Sequence, residues 1–151
     1  MDSQDTIDVL NTLIETCNDG ERGFRKAAEH MQSTDLRALF MDRANECRQA
    51  GADLRSQVVQ LGGEPETGGT ASGAMQRGWT SVLGTLTGYS DKSLLEAAER
   101  GEDSAMQRYR DALDEALPDS IRMLIERQYE GVKRNHAQIR ALRDQARAAQ
   151  V

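Results

Sequence analysis

Acidic side chains at positions that helical periodicity assigns to the interior are the residues of this sequence with most chemistry to offer. Glu21 falls inside a series of apolar residues spaced three and four apart, and Glu102 does the same near the other end of the chain. Glu46 lies beside a third such series and His136 beside a fourth. A buried carboxylate left unpaired costs several kcal/mol, so these groups must pair, take up a proton, reach water or hold a cation. Other chemistries have less to stand on. Cys17 and Cys47 sit on apolar helix faces with no CxxC spacing, which predicts a pair of reduced, buried thiols. Neither has an obvious histidine partner, and no Ser-His-Asp set can be localised, so nucleophilic catalysis has no support. The glycine-rich stretch LGGEPETGGTASG has no GK[ST] and no strand before it, which makes it a solvated connector and not a phosphate loop.

The elements that must position these groups are helices. The 151 residues are 38% apolar, 29% charged and only 4% aromatic, a composition rich in unbranched side chains that lose little freedom in a helix. A chain of this length is read as one domain, residues 1–151, with enough core to need no disulfide or metal. Ile7, Leu10, Ile14, Cys17, Glu21, Phe24, Ala28 and Met31 mark a first helix over about 6–31. Ser33 or Thr34 caps a second over 34–61, which Gly62-Gly63 ends. After the connector, Met75, Trp79, Val82, Leu83 and Leu86 predict a short helix over 72–87, with Trp79 as a packing anchor. Two more long helices follow, over 90–117 and 119–149, separated by Pro118. The tight links within each pair and the long connection between pairs predict an all-α four-helix bundle of two antiparallel hairpins joined by a crossover.

Folding the first hairpin brings Glu21 level with Arg43, Glu46 and Cys47, and folding the second brings Glu99 and Glu102 level with Asn135 and His136. Gly20, Gly23, Gly51, Gly101 and Gly131 accumulate at the same height. Each costs about 1 kcal/mol against alanine in a helix interior, so each needs a reason, either close packing against a bulky neighbour or space kept for something bound.

The crossover bundle with one central carboxylate per helix resembles the ferritin-like superfamily. More narrowly, the chain is similar to a bacterial family of small ferritin-like four-helix-bundle proteins of unknown function. The matching segments are LIETCNDGERGF at Leu13 to Phe24, LGGEPE at Leu61 to Glu66, GW at Gly78-Trp79, ERGED at Glu99 to Asp103, and RQYEGVKRNHAQIRALRD at Arg127 to Asp144. Di-iron members of the superfamily use a Glu from each of two helices and a Glu-x-x-His from each of the other two. By that resemblance Glu21 and Glu102 stand at the single-carboxylate positions. The paired motifs are broken, because Gln49 follows Glu46 where a histidine belongs, and Lys133 precedes His136 where a glutamate belongs. The resemblance leaves Glu21, Glu46, Glu102 and His136 as ligand-type residues, too few for an ordinary dinuclear site.

A net charge of −6 and a pI near 5.0 give no basic face for nucleic acid. No apolar run reaches membrane-spanning length and no secretory leader pattern opens the chain, so a cytoplasmic protein is expected. The expected role is that of a non-enzymatic structural or interaction protein with a degenerate central metal site, its stress association resting on analogy with relatives. The alternative is an iron-binding or ferroxidase-like protein using Glu21, Glu46, Glu102 and His136. No cofactor is expected, iron being the one that the alternative reading would bring. The apolar stripe Met75, Trp79 and Leu83 predicts at least a weak homodimer.

Overall fold

The computed structural model of the chain describes residues 2–66, Trp79, Leu83, Leu86 and 88–149. Among them stand four helices and no strand: α1 (Ser3–His30), α2 (Thr34–Gln60), α3 (Asp91–Leu113) and α4 (Asp119–Ala148). Their starts follow from local hydrogen-bond chemistry. The Asp2 carboxylate accepts from the Asp5 N–H at 2.8 Å, and the Ser33 hydroxyl from the Leu36 N–H at 3.2 Å, each satisfying a donor that the first turn leaves free. Ser90 and Ser93 do this reciprocally at the head of α3. Gly62, at φ +80°, ends α2 in the left-handed conformation, and the Gly63 N–H closes on the Val58 carbonyl at 2.9 Å.

α1 packs along α2, α3 along α4, and α1 against α3. The Asp91 carboxylate, in the first turn of α3, accepts from the N–H groups of Gln32 and Ser33 at 2.7 and 3.0 Å, tying the second hairpin to the turn of the first. The apolar interior falls into two clusters. One gathers Phe24, Met31, Phe40, Trp79, Leu83, Leu94, Leu95 and Ile139. The other gathers Leu10, Leu13, Ile14, Leu54, Val58, Tyr109, Ile121 and Ile125. Between them lies the level at which acids and glycines accumulate, and there α2 and α4 meet through polar side chains. Arg43 donates to Gln138, Asn135 donates to Glu46 at 2.9 Å, and Gln128 donates to the Ala50 carbonyl at 3.2 Å.

Two expectations change, and a third falls largely outside the described residues. α3 ends at Leu113, not at 117, because Arg122 of α4 donates to the carbonyls of Leu113 and Glu115 and so satisfies the chain in a turn. Leu117 remains buried without being helical. The short helix expected over 72–87 lies outside the described residues except at Trp79 and Leu83, which are helical, and Leu86. Trp79 and Leu83 are only 2% and 3% exposed, packed inside their own chain, so they do not offer the surface stripe on which the homodimer was argued; Met75 lies outside the described residues. Trp79 is the anchor expected of it, its ring centroid 4.8 Å from that of Phe24. No helix among the described residues is long and apolar enough to cross a membrane.

Candidate functional site

The four sequence-predicted ligands do not converge on one point. Glu21 leaves the seam: its carboxylate is partly exposed and pairs with Arg25 one turn on, at 2.8 Å. The seam passes instead through Gly20, where the Cys47 sulfur takes the space a side chain would need, 2.9 Å from an added Cβ. Glu46 is half exposed and accepts from Arg43 at 3.1 Å and from Asn135. Glu102 is buried, 5% exposed, and its Oε1 has no hydrogen-bond partner. His136 faces the other side of α3, where its Nε2 lies 2.6 Å from Asp103 Oδ1 but outside hydrogen-bond geometry. One ligand atom each from Glu99, Asp103 and His136 lies within 4.8 Å of the others. Glu99 also pairs with Arg143 of α4. Asp103 was missed by sequence reasoning; its signal was the i, i+4 spacing from Glu99 on the face that meets His136.

The centre of the bundle belongs to Arg43. Its side chain is 10% exposed, with Nη1 on Glu46 and Nη2 on Gln138, while Nε has no partner. Burial pushes the Glu102 carboxyl up to about 8; Arg43 pulls it back down, while Asp103, Glu46 and Glu99 add to the rise. Glu102 therefore carries its proton at neutral pH. Burial likewise raises the Cys17 thiol to about 11, against the hydrogen bond shared with Tyr109 and the charge of Arg55, and holds Cys47 well above the ordinary range. Both cysteines are free, as expected, and their raised pKa values make them poor nucleophiles. Nearby, Cys17 Sγ approaches the Tyr109 hydroxyl at 3.6 Å, and that hydroxyl donates to Gln128 at 2.8 Å.

Residues 5–115 match the family model described as Domain of unknown function (DUF2383). The chain belongs to this family. No curated protein matches the DUF2383 chain significantly. Among solved structures it is similar to the bacterioferritin-related protein from Bacteroides fragilis, described as a dodecameric thioferritin. The TM-score is 0.83 at 16% identity, covering 99% of this chain and 91% of that one. The fold is therefore an all-α four-helix bundle like that of this bacterioferritin-related protein, and at this identity the likeness speaks for the fold alone.

A ferritin-like fold implies a pair of iron ions between the four helices, and the residues of this DUF2383 chain do not fit one. Glu21 is committed to Arg25, Glu46 to Arg43 and Asn135, and His136 lies with Asp103. A guanidinium already supplies positive charge at the level where ions would sit, and no proximity to it could favour a second cation. Among the described residues at this level, the orphaned oxygen of Glu102 is the feature that suits a cation.

Proposed function

We propose that this DUF2383 chain is a non-enzymatic ferritin-like bundle whose central metal site has degenerated into a structural polar layer, and that it serves as a structural or interaction protein. The observation that carries this reading is Arg43, a buried side chain bridging Glu46 and Gln138 across the bundle. A fixed guanidinium neutralises carboxylates as a metal would, without open coordination positions for a substrate. The test is iron content after chelation, loading with ferrous iron under nitrogen, and desalting. We expect far less than one iron per chain in wild type and in Glu102→Ala alike. A stoichiometric iron lost in Glu102→Ala would overturn the proposal.

A second reading has its own observation. Glu99, Asp103 and His136 offer two carboxylates and an imidazole at the α3–α4 face, a donor set suited to a single divalent ion, iron included. Stoichiometric iron that survives Glu102→Ala and disappears in His136→Ala would favour this iron-binding reading over the first. Self-association belongs to either reading. The B. fragilis protein is described as dodecameric, and Val59 and Met123 here are each 62% exposed. Light scattering is expected to return a mass above the 16.7 kDa of one chain, and a monomer at high concentration would remove this part of the proposal.

A further inference from the structure

Between the two apolar clusters lies a cavity of about 200 Å³, lined among the described residues by all four helices and Trp79. Its walls are largely apolar, with Phe24, Trp79, Ala50, Ala105 and Val132 among them. Two polar atoms on its lining residues have no hydrogen-bond partner: Oε1 of the Glu102 carboxyl, which accepts or, where it bears the proton, donates, and Nε of Arg43, a donor. Both residues are at least nine-tenths buried. The other polar and charged side chains on the lining are committed: Asp19 to the Trp79 N–H, Glu46 to Arg43 and Asn135, Arg108 to Ser104, Thr16 to the Thr12 carbonyl, and Gln128 to Tyr109 and the Ala50 carbonyl.

Glycine placement adds an independent argument. Gly20 and Gly101 line the cavity, but each is explained by packing, the first by Cys47 and the second by the Trp79 ring, whose Nε1 would stand 2.6 Å from an added Cβ. Gly131 is not so explained. A Cβ there would meet nothing closer than the Arg134 guanidinium at 3.7 Å, so alanine would fit and would improve the helix. Among the described residues no packing neighbour accounts for Gly131, which is one of the residues lining the cavity.

We propose that this cavity binds a small uncharged amphiphile, a single ring or short branched chain carrying one hydroxyl. The size follows from volume, since an apolar cavity of roughly 150 Å³ accepts benzene. The head group follows from the two orphans, because a hydroxyl both donates and accepts and can satisfy Glu102 and Arg43 together. The inference rests on the reading that no ion occupies this layer.

The probes are phenol and toluene, ring compounds with and without the head group. The readout is the fluorescence of Trp79, the chain's one tryptophan and part of the cavity wall, supported by calorimetry on chelated full-length protein whose iron content is measured in the same sample. Phenol is expected to bind wild type saturably with one site per chain. Glu102→Leu should shift the phenol-to-toluene affinity ratio at least tenfold toward toluene, since the hydroxyl loses a partner while the ring keeps its walls. Gly131→Leu should abolish binding of both probes by filling the space. Metal-free protein that binds neither probe, holding water alone in the cavity, overturns the inference and leaves the structural reading intact. An unchanged phenol-to-toluene ratio in Glu102→Leu also overturns it. Stoichiometric iron dependent on Glu102 overturns the reading beneath it.

Discussion

Glu102→Gln is expected to stabilise the protein at alkaline pH and to do progressively less as pH falls toward 4.5. Glu102 has a folded-state value near 8 against an ordinary 4.5, so between those limits the folded chain holds a proton that the unfolded chain has released. Stability must then fall as pH rises through that window and level off above it. At about 1.36 kcal/mol per unit, the full effect is on the order of 5 kcal/mol. Glutamine keeps the shape and removes the charge, so the difference between variant and wild type isolates this one group from all others that titrate. Thermal or urea unfolding of both proteins across the window measures it. Parallel curves at every pH would show that Glu102 ionises freely when folded. A wild type that instead gains stability with rising pH, and loses that gain on chelation, would reveal a cation on Glu102 and so count against the guanidinium-centred layer.

The parts of this arrangement that were legible in the sequence are those governed by local chemistry. Hairpin topology followed from seam spacing, Ser33, Gly62 and Pro118, and the start of α2 followed from the capping Ser33 side chain, whereas α1 begins at Ser3, ahead of its first seam residue, on an Asp2 cap that the seam did not mark. What sequence alone misplaced depended on partners distant in the chain. Glu21 looked like a seam residue because glycine carries no apolar signature; Gly20 becomes the interior position only once the Cys47 sulfur is seen against it. α3 stops early because Arg122, nine residues beyond Leu113, takes up its terminal carbonyls. Arg43 was noted only as a neighbour of Glu21, yet it bridges α2 and α4 through Gln138, a residue that no periodicity marks. His136 turned out to meet Asp103 because one step along a helix rotates the side chain by about 100°, which separates the cavity side of Glu102 from the outer side of Asp103.

The largest mechanical dependence in the fold joins Trp79 to two glycines. An added Cβ at Gly23 would overlap Cβ and Cγ of Trp79, and one at Gly101 would overlap the indole ring, so the side chain is wedged between α1 and α3 where neither helix carries a side chain. The overlapped atoms at Gly23 are at the root of the indole and have no rotamer into which to retreat without moving the ring. Gly23→Ala should therefore cost about 3 kcal/mol or more, by displacing Trp79 or prying α1 from α3. Trp79→Ala should cost a similar 3–5 kcal/mol, through the cavity left beside Phe24 and Leu83. The decisive quantity is the double variant. With the indole gone, Gly23→Ala removes no contact and gains the helix preference of alanine, so its sign should reverse to a stabilisation of about 1 kcal/mol. Urea unfolding of wild type, both singles and the double measures the coupling, read by circular dichroism because the tryptophan is lost. If the two losses simply add, Trp79 does not sit against α1, and the glycines of this layer need another explanation.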